Sequence, residues 1–111
     1  MLPKRSRLAV GREIKETLKE KQYSGGGPLL SFVARDNSRR GSRVTIVVPR
    51  GIGNAVARNR ARRVFAAAFS KISDNLAKNV DIVLYPKRSA LDCKMGVIAD
   101  ELLRVLRKGI R

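Results

Sequence analysis

Six residues in one short stretch carry the chemistry this chain can offer: Asn54, Arg58, Asn59, Arg60, Arg62 and Arg63. A guanidinium is permanently charged, planar and forked, so it pairs bidentately with phosphate or with guanine edges and does not shuttle protons. The stretch is therefore suited to recognising a polyanion, not to acid–base or nucleophilic work. With no histidine and a single cysteine, Cys93, the chain cannot assemble the common zinc ligand sets or close an intramolecular disulfide. Asp92, Asp100 and Glu101 lie among basic residues in a stretch of helical periodicity, where paired carboxylates usually serve as salt-bridge partners. No catalytic residue and no metal ligand is assigned to this chain. The Gly51-Ile52-Gly53 turn lacks the Gly-Lys-Ser/Thr ending of a P-loop and the full dinucleotide fingerprint, and a turn before a helix explains it.

The charge balance supports the same reading. Among 111 residues, 25 Lys and Arg face 9 Asp and Glu, a formal net charge of +16. Such self-repulsion in a small chain implies a polyanionic partner. Residues 35–63 hold nine basic side chains, all Arg, against one acid, which is half of the whole surplus. An exposed helix normally mixes both signs of charge, but no acid occurs between Arg39 and Ser73. The chain begins with basic residues that no apolar run of signal-peptide length follows, and no segment is long enough to span a membrane, so a cytoplasmic setting is expected.

The elements that must position these arginines follow from apolar spacing. Residues 8–22 carry Val10, Ile14 and Leu18, which predicts a first helix with a narrow apolar stripe. Ser24, Gly25, Gly26, Gly27 and Pro28 break it, and residues 29–34 read as a strand. A loop over 35–42 leads to a second strand, residues 43–48 ended by Pro49, and the two strands are expected to pair as a hairpin. Ala57, Ala61, Val64, Phe65, Ala68 and Ile72 then recur at helical spacing. On that central helix Asn59, Arg60, Arg62 and Arg63 fan across the side opposite the apolar stripe, Arg58 lies at the boundary, and Ala66, Ala67 and Ser70 continue the outer face. Residues 80–85 predict a strand closed by Pro86, and residues 91–108 a last helix burying Ile98, Leu102, Val105 and Leu106. The expectation is a single domain over 1–111 of α+β class, order α-β-β-α-β-α, with a small sheet covered by helices.

The run from Gly53 to Arg63, with Ala55, Arg58-Asn59-Arg60 and the basic pair Arg62-Arg63, resembles the signature of the bacterial ribonuclease P protein family. Leu2-Pro3-Lys4, Arg7-Leu8, Arg43-Val44, Ala68-Phe69 and Asp81-Ile82-Val83 match in the family's order and at about its spacing. The resemblance implies a ribosomal protein S5 domain 2-like fold in which the central helix joins two parallel strands by a left-handed crossover, against the usual hand. It implies that Arg58, Asn59, Arg60, Arg62 and Arg63, with Asn54 and Arg50 nearby, contact a catalytic RNA. It further implies a cleft between the first helix and the sheet that holds the single-stranded 5′ leader of precursor tRNA, a role falling on Ile14, Leu18 and Phe32. Two departures stand out: Ile14 and Leu18 occupy positions where the family usually has aromatics, and Pro49-Arg50-Gly51 replaces a pair of adjacent lysines.

Phosphodiester hydrolysis needs an activated water and a stabilised leaving oxygen, often through two metal ions held by carboxylates. Nothing in the chain supplies such a site. The resemblance assigns Mg2+ and the cut to the RNA subunit, with the protein alone inactive and no obligate protein partner or membrane involved. Two other classes share the size and charge: a structural ribosomal RNA-binding protein, against which the signature argues, and a nucleoid DNA-binding protein, for which no dimer element is evident. An RNA-recognition motif is disfavoured because aromatics total only 5% and are not interleaved along the strands.

Overall fold

The computed structural model describes residues 7, 8, 11–39 and 41–110; Leu2-Pro3-Lys4 and Val10, used above, lie outside the described residues. The elements are α1 (Gly11–Lys19), β1 (Tyr23–Gly26), β2 (Leu30–Asp36), β3 (Arg43–Ile46), α2 (Ala55–Ile72), β4 (Val80–Pro86) and α3 (Met95–Gly109). The class is α+β as expected, but the glycine-rich stretch after α1 is a strand. Tyr23–Gly26 pairs antiparallel with β2, from Tyr23 opposite Ala34 to Gly26 opposite Ser31. Its own sequence has little strand propensity, so pairing and the packing of α3 against it decide its state.

The sheet order is β1-β2-β4-β3. The expected hairpin between residues 29–34 and 43–48 does not form. β4 inserts between them, antiparallel to β2 and parallel to β3, with α2 as the crossover that joins the parallel pair. β4 is buried along most of its length, with Val80, Ile82 and Leu84 toward the core and Asp81, Val83 and Tyr85 toward the α1 face. On one face Leu30, Phe32, Ala34, Val44, Val80, Ile82 and Leu84 form the core with α2 and α3. α2 contributes Ala61, Phe65, Ala68, Phe69 and Ile72, and α3 contributes Ile98, Ala99, Leu102, Val105 and Leu106.

The opposite face is built in three rows set by the register. Arg35, Asp81 and Arg43 form one row, Val33, Val83 and Thr45 the next, and Ser31 and Tyr85 begin a third. Val47 completes the third row, its N–H donating to the Leu84 carbonyl at 2.8 Å in continuation of the parallel ladder. α1 lies on this face and is joined to it by ions more than by apolar contact. Arg43 donates to Asp81 at 2.8 and 2.7 Å and to Glu13 at 2.7 Å. Arg35 lies 3.5 Å from Glu16, 3.3 Å from Glu20 and 3.7 Å from Asp81. The buried side chain of α1 is Thr17, whose hydroxyl donates to the Glu13 carbonyl at 2.8 Å. Leu18, expected in an apolar stripe, is 40% exposed, and Ile14 is half-buried.

Both acids of the clasp are held below the ordinary carboxylate range. For Glu13 the chief cause is the hydrogen bond from Arg43. For Asp81 burial pushes upward, and the hydrogen bonds from Arg43 and Asn37 more than offset it. Arg43 is held above its ordinary value, chiefly by its hydrogen bond to Asp81. A carboxyl with a lower pKa folded than unfolded stabilises fully above the ordinary range and ceases to do so as pH falls through the depressed value. Stability to urea should therefore be flat from neutral pH to about pH 5 and decline below about pH 4. Asp81→Ala, which strands Arg43 in a buried site, should cost about 3–5 kcal/mol and flatten the acid limb. An unchanged midpoint in that variant would show that the clasp does not hold the fold.

Candidate nucleic-acid interface

A helix presents two faces, and α2 separates them cleanly. Ala61, Phe65, Ala68, Phe69 and Ile72 are buried, while Asn59, Arg60, Arg62 and Arg63 are exposed, Arg58 is half-buried, and Val56 in the first turn is also exposed. The helix starts where it does because Asn54 is its N-cap, accepting a hydrogen bond from the Ala57 N–H at 2.9 Å. Asn54, assigned to RNA contact from the sequence, thus has its side-chain oxygen engaged in capping. Arg58 donates to the Gly53 carbonyl at 2.8 Å and Arg60 to the Leu91 carbonyl at 2.6 Å, so both brace the turns around the helix start. Arg62 donates to Asn59 at 2.8 Å along the helix surface. Arg50 opens a short 3-10 turn, Arg50–Ile52, and is exposed.

Because α2 returns the chain from the end of β3 to the start of β4, its N-terminus lies at the end of the sheet where both parallel strands finish. There Pro49-Arg50 follows β3, and Lys87 and Arg88 follow Pro86 at the end of β4. Arg88 donates to the Gly51 carbonyl, which places a second guanidinium at the loop where the sequence showed only Arg50. Lys87 and Arg88 were missed by the sequence reading, although a basic pair directly after a strand-closing proline was a visible signal. Among the described residues no carboxylate pairs with Arg50, Arg58, Arg60, Arg62, Arg63, Lys87 or Arg88. The ion pairs lie instead within α1, between α1 and the sheet or the loop after β2, within the sheet, and within α3. The result is a cationic end to which, among the described residues, no carboxylate is paired.

The second predicted group divides. Ile14 and Leu18 stand on α1 at the face of the sheet it covers, with Leu18 open to solvent. Phe32 is a correction: it is 2% exposed and belongs to the core on the opposite face. Its ring packs against two glycines, since a Cβ at Gly25 would stand 3.0 Å from it and one at Gly109 only 2.6 Å. Strand neighbours alternate between faces, so the β2 side chain on the α1 side is Val33 and not Phe32. The aromatic on that side is Tyr85, also unassigned from the sequence, although the apolar alternation of Val80, Ile82 and Leu84 would have placed it there.

Among the described residues no group of three or more His, Cys, Asp or Glu side chains is arranged to hold a metal ion. Asp81 and Glu13 accept from Arg43, leaving them poor candidates for a divalent cation. No helix among the described residues is long and apolar enough to cross a membrane.

Comparison with known proteins agrees with this geometry. A family model described as Ribonuclease P matches residues 2–109. The ribonuclease P protein component of Vibrio cholerae is 33% identical over 90 residues, covering 80% of this chain and 72% of that protein. That of Shouchella clausii is 25% identical over 107 residues, covering 96% and 88%. Among solved structures, the RNase P protein from Thermotoga maritima superposes with a TM-score of 0.81 at 26% identity, covering 92% of this chain and 96% of that one.

The placement of Phe32 has a direct test. Phe32→Ala empties a buried aromatic site and should cost about 3–5 kcal/mol of folding stability, measured by denaturant unfolding. Asn54→Ala, which removes only a cap, should cost about 1 kcal/mol. A Phe32→Ala protein as stable as the parent would place that ring outside the core.

Proposed function

The chain belongs to the ribonuclease P protein family, a protein component of tRNA 5′-end processing that partners an RNA subunit, and from this premise we propose how its residues serve that reaction. The cationic end carries the reading: exposed Arg62 and Arg63 of α2, with Arg50, Lys87 and Arg88 beside the helix start and no carboxylate of the described chain paired to them. This surface binds the catalytic RNA. Arg62 and Arg63 meet phosphates directly, while Arg58, Arg60 and Asn54 fix the turns and the helix start that aim them. Of the small side chains expected on the outer face, Ala66 packs against the core and Ala67 is half-buried, leaving Ser70 exposed beside the arginines.

The open side of the sheet beside α1 receives the single-stranded 5′ leader of precursor tRNA. Leu18 and Ile14 form one wall and Val33, not Phe32, stands on the floor. The clasp of Glu13, Arg43 and Asp81 fixes the wall against the floor and so sets the width of the space. Magnesium ions, bound mainly by the RNA subunit, supply the activated water and stabilise the leaving oxygen. The protein's part is electrostatic: it offsets repulsion between two RNAs and holds the leader in register. The assembly cuts endonucleolytically in the cytoplasm, where precursor tRNA is made, and needs no further protein.

Two outcomes are expected. The double substitution Arg62→Ala/Arg63→Ala should leave folding unchanged, weaken binding to the catalytic RNA, and flatten the dependence of log affinity on log salt by about one per lost phosphate contact. Normal affinity and slope in that variant would remove α2 from the interface. Protein stripped of RNA should show no cleavage of precursor tRNA with magnesium present, and correct 5′ cleavage by such protein would overturn the assignment of the chemistry to RNA.

A further inference from the structure

We infer that Tyr85, with Val47 beside it, is the stacking platform for an unpaired base of the leader, an assignment that rests on the leader-binding role proposed above. The α1 face of the sheet has three rows. Arg35, Asp81 and Arg43 are consumed by the ionic clasp, and in the next row the central Val83 is fully buried between half-buried Val33 and Thr45. The third row is the most open and the one with an aromatic ring: Tyr85 is half-buried and Val47 is 39% exposed. No hydrogen bond engages the Tyr85 hydroxyl among the described residues. One residue beyond this row on β4 stands Pro86 and then Lys87, and beyond Val47, which follows β3, stand Val48, Pro49 and Arg50. An apolar floor with an aromatic face, continuing directly into cations, matches a single-stranded nucleotide: base on the ring, phosphate on the basic side chains.

Other aromatic rings are excluded by position. Phe32, Phe65 and Phe69 are buried in the core. Tyr23 lies opposite Ala34 on the core side of the sheet, its hydroxyl donating to Asp36 at 3.0 Å and accepting from Lys78 at 2.9 Å, with the Lys78 ammonium 5.3 Å from its ring. The aliphatic Ile14 and Leu18 on α1 give contact but no π face. Stacking in this chain is thereby moved from the helix wall to the sheet floor.

The two tyrosines make the test self-controlled. The full-length protein, labelled with 13C in its tyrosine rings, is titrated with a short oligoadenylate, using Tyr85→Phe to assign the signals. The Tyr85 ring resonances should shift and saturate while those of Tyr23 stay fixed. A titration that leaves Tyr85 unmoved, or moves Tyr23 alone, overturns the assignment. In holoenzyme reconstituted with the catalytic RNA, Tyr85→Leu should weaken precursor tRNA binding on the order of tenfold and leave mature tRNA binding unchanged, with Tyr85→Phe within about twofold of the parent. If the parent protein tightens precursor and mature tRNA equally, the leader reading itself falls and takes this assignment with it. If the parent discriminates and Tyr85→Leu discriminates as well, the assignment to Tyr85 alone is wrong.

Discussion

Arg43 is shared between Asp81 below it and Glu13 above it, and that sharing decides where the first helix sits. α1 has too few apolar side chains to be held by burial: its inward residue is a threonine and Leu18 faces water. A helix so placed would slide or detach if its contacts were non-directional. Bidentate and charge-assisted hydrogen bonds are directional, so the same three residues that attach the helix also fix its register on the sheet. The open row of the sheet beyond it keeps its shape for the same reason.

The clasp also shapes the electrostatics of the whole molecule. Nine acids are few for a chain with 25 basic residues, and five of them lie together: Glu13 and Glu16 on α1, Glu20 just past its end, and Asp36 and Asp81 on the two strands beneath it. Their partners are Arg35, Arg39 and Arg43, with Asp36 taken up by Tyr23. Acid used to lock one end of the protein is acid withheld from the other. Among the described residues no carboxylate is paired with the arginines at the start of α2, so their positive field extends outward toward a polyanion.

The arginine face of α2 was legible because the 3.6-residue period of Ala61, Phe65, Ala68 and Ile72 defines the opposite side without tertiary information. What failed was non-local or depended on a single step of register. The glycine strand Tyr23–Gly26 has no propensity to announce it, and exists because β2 and α3 are beside it. The pairing of residues 29–34 with 43–48 was the nearest choice in sequence, but β4, buried on both faces along most of its length, takes the middle of the sheet between them. Phe32 was misplaced because alternation along β2 has two phases, and only the partners Gly25 and Gly109 reveal which one packs against the core. The α1 stripe misled because charged residues, ordinarily the solvent side, are here the attachment side. Asn54, Arg58 and Arg60 were found as a motif, yet their bonds to Ala57, Gly53 and Leu91 show that part of the motif maintains the surface on which the rest acts.

The strand order has a consequence in time. β4, the strand on which both β2 and β3 depend, is the last to leave the ribosome, about fifty residues after β2 begins, since β2 opens at Leu30 and β4 at Val80. Until then neither early strand has its central partner, whereas α2 has been synthesised and needs only local contacts to form. During that interval a nascent chain presents a basic helix without its sheet, in the most RNA-crowded neighbourhood of the cell. The apolar stripe of α2, with Phe65, Phe69 and Ile72, has no complete sheet to cover until β4 is made, so closure of the core is a late event in the chain's synthesis.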